Sequence, residues 1–543
     1  MCAILDFLLL ISEPPAAIYC VMETKLAVPI AARNIDQAGM QIESARAAGA
    51  DILELRTDYL ENLNVDLVKK LIAGIKSSGD KKLPVIVTCR DKQQGGAIDY
   101  PQKLRVDILA AALKAGAEFI DYEYENFRSI EGQEKIRLAL SQSSKGRLIL
   151  STHNFETKFD NIGKLYRNIL NICPVAIPKL IYVANHINDC FDAFDLLHQT
   201  SAERIIFCMG PGGLISRILA KKLGCFLTFA SIDEINATAP GQLTIKDLRE
   251  LYRYDCIDIE TRLYGVIADP VGHSLSPAIH NACFGDRQMN KLYLPLLVEG
   301  GRQEFDSFIH HALLRKWLNF RGFSITIPHK QNALAYVRAS RGYIEPLAQK
   351  IGAANTLLVG PDGKLEAYNT DYAGALDAIT AGMKISRAKL NGLPVAVVGA
   401  GGVSRAIVAG LSDAGAKIRI YNRTVEKAEK LAAEFNCEFA PLDDLKSVDA
   451  KLLINCTSIG MYPNVDASPV PAESMKKTMA VFDTVYNPAQ TLLLKEAGNK
   501  KAKTIDGISM FVNQAMAQFK LFTQTDGNPE LMRKTILESL SET

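Results

Sequence analysis

The chain has 543 residues, 48% of them hydrophobic, with 62 lysines and arginines against 60 aspartates and glutamates. At roughly 100–200 residues per domain, this length implies two to four domains. The near-neutral balance of +2, with no long basic run or aromatic-interleaved basic patch, excludes nucleic acid as an expected partner.

The eleven cysteines are scattered without a C-x-x-C pair or the Cys/His spacing of a zinc site. Cys89, Cys208 and Cys225 fall in apolar strand-like runs. They read as reduced, buried thiols in a reducing compartment. The opening MCAILDFLLLISEPPAAIYCVMETK holds an apolar run too short to span a bilayer, and no Lys or Arg precedes Lys25. Residues 1–24 therefore read as an appendage, with Met22 an alternative start. The expectation is a cytoplasmic protein with no membrane partner.

From Lys25 onward, apolar strand-like segments recur about every thirty residues with helical patterns between them, the spacing of βα units that feed a parallel sheet. Eight follow in order: KLAVPIA (25–31), DILELRTD (51–58), LPVIVTCR (83–90), EFIDYEYE (118–125), RLILSTHNF (147–155), VAIPKLIYVA (175–184), RIIFCMG (204–210) and CFLTFASI (225–232). Asp36 to Ala48 and Pro101 to Ala115 carry apolar residues at helical period. The expected fold of residues 25–260 is a (β/α)₈ TIM barrel, with chemistry at the C-terminal ends of the strands.

Residues two apart on a strand share a side. Glu54, Arg56 and Asp58 therefore face together, and three charges are cheapest at the barrel mouth. Arg90, Asp121, Glu123 and His153 follow by the same rule. Lys179 lies in an otherwise apolar strand, where an unpaired ammonium is heavily penalised. Neighbouring cations and desolvation push a lysine toward the neutral amine that condenses with carbonyls, with His153 in reach to move protons. A structural ion pair to Glu123 or Asp121 fits the same placement. The turns MGPGGLISR (209–217) and TAPGQ (238–242) add Arg217, Thr238 and Gln242, which with Arg56 and Arg90 suit a small hydroxylated carboxylate.

The series ELRTD, TCR, IDYE, STHN, the Lys179 strand, MGPGGLISR and TAPGQLT resembles type I 3-dehydroquinate dehydratase across residues 25–255. The resemblance implies that Lys179 forms an imine with the substrate ketone and that His153 is general acid and base for loss of water. It assigns Arg217, Thr238 and Gln242 to the substrate carboxylate, and Glu54, Arg56 and Arg90 to the ring hydroxyls. The family pattern R-x-x-x-E-G-G places a glutamate beside the histidine. Here RDKQQGG puts Gln94 there, which can hold an imidazole by a hydrogen bond but cannot stabilise imidazolium by charge. The expectation is a slower or pH-shifted dehydratase.

Past Arg262 the pattern changes. YGVIADPVGHSLSPAIHN gives a strand and then Ser274 and Ser276 before a helix. GFSITIPHK (322–330) ends in Thr326 and Lys330, and GAANT and YNTDYAG put Asn355 and Asp371 near helix starts. Each alone fits a capping role. VAVVGAGGVSRAIVAGLSDAGAKIRIYNR (395–423) is strand, glycine turn, helix and strand, a nucleotide-binding βαβ unit in which Gly399 and Gly401 let the backbone approach a pyrophosphate and Gly402 widens that approach. Ser404 replaces the third glycine. Asn422, Arg423 and Thr424 stand where an NAD site places a carboxylate, and a guanidinium there favours the 2′-phosphate of NADP.

S-x-S-P, T-x-P-x-K, G-A-x-N-T, N-T-D, GAGGVSRA, NRT, NCTSIGM, VYNP and DGISMFVNQA together resemble shikimate dehydrogenase over residues 263–530. The resemblance implies a substrate-binding domain at 263–370, completed by 507–543, and a Rossmann NADP-binding domain at 371–506, with ligand in a cleft between them. Lys330 and Asp371 become the acid–base pair at the carbonyl. Ser274 and Ser276 take the substrate carboxylate, and Thr326, Asn355, Tyr486 and Gln514 its hydroxyls. Gly399, Ala400, Gly401, Gly402, Val403, Asn422, Arg423, Thr424, Asn455, Thr457, Met461 and Gly507 take the cofactor. Ser324 departs from the asparagine common in the family.

A fused chain of this order resembles the two-headed enzyme of plants and some bacteria. It implies dehydration of 3-dehydroquinate to 3-dehydroshikimate and reduction of that ketone to shikimate with NADPH, without a metal and with small-molecule partners only. An NAD-dependent quinate/shikimate dehydrogenase working oxidatively is a second reading. A non-catalytic sensor of quinate-like ligands is a third, although binding alone needs neither a nucleophilic amine nor a proton-transfer pair. A monomer is compatible with the sequence, and the oligomeric state is open.

Overall fold

The computed structural model describes residues 23–77, 82–233 and 242–542. Thr238 and residues 1–22 of the expected appendage lie outside the described residues. The chain divides into two compact units: one takes its described residues from Met1–Val183, Asp192–Met209 and Leu219–Ile245, the other from Ala184–Phe191, Gly210–Ile218 and Lys246–Thr543.

The first unit holds eight parallel strands: β1 (Lys25–Ile30), β2 (Ile52–Arg56), β3 (Val85–Thr88), β4 (Phe119–Glu123), β5 (Arg147–Asn154), β6 (Ile177–Val183), β7 (Ile205–Met209) and β8 (Leu227–Phe229). Their order is β7-β6-β5-β4-β3-β2-β1-β8. Phe226 N donates to Arg204 O at 2.8 Å, so the ends approach and the ring nearly closes. The expected helices are present at Ile35–Ala47 and Gln102–Lys114.

Alternation explains how this barrel is filled. Ile52, Ile86, Phe119, Ile149 and Ile177 form an apolar layer with Phe226 and Leu227. Two residues further along the same faces come Glu54, Thr88, Asp121, Ser151 and Lys179, all buried. Each inward face is therefore apolar near its start and polar at its C-terminal end. That gradient places the charged groups together.

The second unit contains two sheets. The first has order β10-β9-β11-β13-β14-β12, from β9 (Arg262–Ala268), β10 (Lys291–Leu297), β11 (Phe320–Ile325), β12 (Tyr343–Ile344), β13 (Thr356–Val359) and β14 (Leu365–Tyr368). β9, β10 and β11 run parallel, and β11, β13 and β14 pair antiparallel. The C-terminal helices Gly507–Thr523 and Pro529–Glu542 close its core, with Ile508, Phe519, Met532 and Ile536 packed on Tyr264, Phe284 and Tyr293.

The other sheet is wholly parallel, with order β17-β16-β15-β18-β19-β20. Its strands are β15 (Pro394–Val398), β16 (Lys417–Asn422), β17 (Glu438–Pro441), β18 (Leu452–Asn455), β19 (Ala480–Asp483) and β20 (Lys503–Ile505). This is the doubly wound Rossmann order, whose switch point between β15 and β18 opens a crevice at the strand ends. No helix among the described residues is long and apolar enough to cross a membrane.

Phe519 is fully buried, 5.5 Å from the Phe284 ring. Phe519→Ala should cost about 3–5 kcal/mol through lost burial and a residual cavity. A urea unfolding midpoint of the second unit that does not fall would contradict this account of its core.

Candidate active site

Inside the barrel, Lys179 Nζ donates to Asp121 Oδ2 at 2.7 Å, lies 3.4 Å from Glu54 Oε1, and sits 4.6 Å from the centre of the Phe229 ring. The pairing with Asp121 is present, and Glu123 is engaged elsewhere. Its surroundings differ from the cationic ones anticipated from sequence. Two carboxylates face the ammonium, with Arg90 behind Asp121, because burying the amine requires compensating charge.

Arg90 knits the carboxylates together. It donates to Asp121 Oδ2 at 2.7 Å, to Glu123 Oε1 at 3.0 Å and to Ser151 Oγ at 2.6 Å, while Ser151 Oγ donates to Asp121 Oδ1 at 2.6 Å. Burial alone would raise the Asp121 carboxyl, but Arg90 and Lys179 outweigh it and hold the group well below the usual carboxylate range. Arg105 reaches in from the helix Gln102–Lys114, donating to Glu123 Oε2 at 2.9 Å and to Asp91 Oδ2 at 2.5 Å. Arg56 holds Asp58 through two hydrogen bonds at 2.9 and 2.8 Å. Thr88 Oγ1 donates to Glu54 Oε1 at 2.8 Å.

His153 follows Ser151 on the inward face of β5, and Ser151 stands opposite Lys179 in the ladder. Burial pushes its imidazole well below the usual range, and the positive charges of Arg90 and Lys179 push it further while Asp121 opposes them. The shift favours the neutral ring. Gln94 does not hold this ring as expected. Its Oε1 accepts from the His153 backbone N–H at 2.8 Å, and Nδ1 of the ring, buried, has no hydrogen-bond partner among the described residues. The 3-10 turn Lys92–Gln94 lies alongside the strand, which brings the amide to the backbone. Phe155 covers the other side of the imidazole, stacked at 5.9 Å. Arg217 is buried on the helix Leu214–Ile218, and Gln242 is half-buried.

In the second unit, Lys330 Nζ donates to Asp371 Oδ2 at 2.6 Å, with both side chains buried. Each residue begins a helix, Lys330–Ala339 and Asp371–Met383. Asn355 Nδ2 donates to Asp371 Oδ1 at 3.0 Å and to Thr370 Oγ1 at 2.9 Å, so the asparagine fixes the carboxylate. Gln518 supports it from below, donating to Asn355 O at 3.1 Å and Thr356 Oγ1 at 3.0 Å, and accepting from Ser324 Oγ at 2.8 Å. Tyr293 OH in turn donates to Ser324 at 2.5 Å.

Ser276 is buried at the start of the helix Ser276–Asp286, with Ser274 half-buried before it. Thr326 is half-buried just past β11. Tyr486 stacks on Phe511 at 4.4 Å, and burial pushes its hydroxyl up to about 12. Gln514 is buried, its Nε2 donating to Phe511 O at 3.0 Å.

At the Rossmann switch point, Gly399 has φ +109°, a conformation that side chains rarely adopt, and Gly401 caps the helix Gly402–Asp413. A Cβ on Gly401 would meet nothing within 4 Å, which leaves open space at that helix start for a pyrophosphate. Ser404 Oγ accepts from Gly401 N at 3.2 Å, so the serine that replaces the third glycine of the usual pattern braces the turn. A Cβ on Gly402 would lie 3.3 Å from Lys330 Cδ, so the missing side chain clears the lysine stem. Ala400 and Val403 pack half-buried on the domain core. Arg423 is exposed at the tip of β16 and has no ion pair among the described residues. Asn422 Nδ2 donates to Thr424 O at 2.8 Å beneath it. Met461 is exposed and Thr457 half-buried, whereas the Asn455 side chain is fully buried. A Cβ on Gly507 would lie 2.4 Å from Val485 O, so that glycine is required for backbone packing.

Ser151 and Gln518 escaped the sequence reading, although each had a signal: Ser151 is two residues from His153 on one strand face, and Gln518 is four from Gln514 on one helix. Arg105 and Asp91 carried none.

Residues 26–258 match the family described as type I 3-dehydroquinase. Residues 266–357 match the shikimate dehydrogenase substrate binding domain, 381–485 shikimate / quinate 5-dehydrogenase, and 507–537 the shikimate 5′-dehydrogenase C-terminal domain. The bifunctional 3-dehydroquinate dehydratase/shikimate dehydrogenase, chloroplastic, of Arabidopsis thaliana is 36% identical over 525 residues, covering 93% of this chain and 83% of that protein. The shikimate dehydrogenase (NADP(+)) of Methanosarcina mazei is 40% identical over 291 residues, 51% of this chain and 99% of that one. A solved shikimate 5-dehydrogenase from Thermus thermophilus in complex with NADP(H) and shikimate is 33% identical, covers 51% of this chain and 99% of its own, and has a TM-score of 0.45. Because the Arabidopsis likeness runs through both the barrel and the dehydrogenase half, the chain belongs to the family of bifunctional 3-dehydroquinate dehydratase/shikimate dehydrogenases.

Proposed function

We propose that residues 25–260 dehydrate 3-dehydroquinate to 3-dehydroshikimate, and that residues 263–543 reduce that ketone to shikimate with NADPH, 371–506 being the cofactor domain. The observation that carries the first step is the buried Lys179 side chain on β6, held by Asp121, with His153 on the neighbouring strand β5 and its imidazole favoured by burial in the neutral form. After losing a proton, Nζ attacks the ketone carbon, and loss of water leaves an iminium. The iminium withdraws electrons from the neighbouring carbon, His153 takes a proton there, and the resulting imidazolium returns it to the departing hydroxyl. Water then releases the product from Lys179. Arg217, Thr238 and Gln242 hold the carboxylate, and Glu54, Arg56 and Arg90 orient the ring, Arg90 chiefly by fixing Asp121.

In the second step, the Gly399–Gly402 turn and Arg423 would hold NADPH, which when bound would supply the hydride. Lys330 stabilises the alkoxide that develops on the substrate oxygen and gives it a proton, while Asp371 and Asn355 aim the ammonium. Ser274 and Ser276 take the carboxylate, and Thr326, Tyr486 and Gln514 the hydroxyl side. Arg423, exposed and without a carboxylate partner among the described residues, supports NADP over NAD. The reduced thiols support a cytoplasmic location, which cell fractionation tests.

Dehydroquinate with NADPH should lose nicotinamide absorbance in a coupled assay, and borohydride should trap substrate on Lys179. Lys179→Met should abolish both signals yet leave shikimate oxidation intact; an adduct persisting in that variant would sink the proposed nucleophile. Gln94→Glu adds a negative charge next to His153, which raises the imidazole pKa and moves the acid limb of the dehydratase profile to higher pH. An unchanged turnover and pH profile would remove the assigned role of Gln94. Arg423→Ala should raise KM for NADPH about tenfold or more and leave that for NADH nearly constant. Equal changes for both cofactors would place the 2′-phosphate elsewhere.

A further inference from the structure

Asn455 ends β18 with its side chain entirely inside the protein. Its Oδ1 accepts from Thr457 N at 2.9 Å and Thr457 Oγ1 at 2.7 Å, and its Nδ2 donates to Ile459 O at 3.3 Å and to Asp483 Oδ1 at 2.9 Å. The amide is fully engaged within the protein and leaves nothing to offer a ligand. Asp483 is its partner in the strand ladder, at the tip of β19. It too is fully buried, accepting from Val485 N at 3.1 Å and from Thr491 Oγ1 at 2.6 Å, and it has no ion pair among the described residues. Burial pushes its carboxyl up to about 6 against these three donors.

A buried carboxylate without a counter-charge is a costly way to join two strand ends, and packing alone would be served by apolar side chains. What it controls lies one step further out. Thr457 and Ile459 are the bonded points of the loop that leads to Met461, and this loop abuts the glycine turn: a Cβ on Gly399 would lie 3.0 Å from Thr457 Cγ2 and 3.3 Å from the Cys456 carbonyl. β15 and β18, which end at these two segments, flank the switch point of the sheet.

We propose that Asp483 is a positioning residue for the nicotinamide half of the cofactor: it orients Asn455, which sets the Thr457–Met461 loop against the Gly399 turn. The inference rests on the reading that NADP(H) occupies this crevice. The adenosine half, assigned to Arg423 at the tip of β16, lies on the other side of β15 and is outside this chain of hydrogen bonds.

The test compares Kd for NADP+ with Kd for the 2′-phosphoadenosine half alone, in full-length wild type, Asp483→Ala, Asp483→Asn and Asn455→Ala. Asp483→Ala should weaken NADP+ about tenfold and lower dehydrogenase kcat, while the affinity for the adenosine fragment and the dehydratase turnover hold steady. Asp483→Asn retains an oxygen acceptor and should recover most of the loss. Asn455→Ala should reproduce the alanine phenotype, and it carries the test if Asp483→Ala does not fold. Fragment and whole cofactor weakening together, or NADP+ binding normally in both alanine variants, would overturn the proposal. A wild type that binds the fragment and NADP+ nowhere would overturn the reading of the crevice along with it.

Discussion

Both units solve one electrostatic problem, an ammonium taken out of water and held against a close carboxylate, with Glu54 a second, longer partner at 3.4 Å in the barrel. Lys179 meets Asp121 at 2.7 Å and Lys330 meets Asp371 at 2.6 Å. Removing Asp371 would strand a buried positive charge on Lys330, and breaking a buried pair in this way costs about 3–5 kcal/mol, whereas removing Asp121 would leave Lys179 only the longer contact to Glu54. The carboxylates are themselves held, Asp121 by Arg90 and Ser151, and Asp371 by Asn355. Each lysine nitrogen thus has its direction set by groups on other strands and loops.

The scaffolds reach this arrangement by different means. In the barrel, parity puts every inward residue on one of eight converging faces, so polar residues at the same height meet across the interior. In the dehydrogenase half the relevant groups stand at helix starts, where Lys330, Asp371 and Gly402 each begin a helix. The positive end of a helix dipole favours Asp371 and disfavours Lys330. The pair between them offsets that penalty, and the absence of a side chain at Gly402 leaves room for the lysine stem to reach the carboxylate.

Much of the site was legible in the sequence because strand and helix periods decide which residues share a face. Glu54, Asp121 and Glu123 lay inward as alternation required, and the strand, turn, helix and strand at 395–423 took the expected form. Less legible were the terminal atoms. Gln94 was expected at the His153 ring and bonds the backbone N–H instead. Asn455 was expected at the cofactor and is turned inward to Asp483. A single residue's period gives its side of a strand but not its depth, nor which of several nearby donors it will reach.

The sequence by itself determined the residue types and their spacing, and with them the eightfold βα repeat, the glycine turn and the lysine at 179 set in an apolar strand. Only the tertiary structure decided what stands opposite each of them. Arg90 and Asp121, Asn355 and Gln518, and Asn455 and Asp483 are far apart along the chain, and strand register together with helix packing brings their polar atoms within hydrogen-bond distance. Those distances depend on every intervening turn, so no local pattern encodes them.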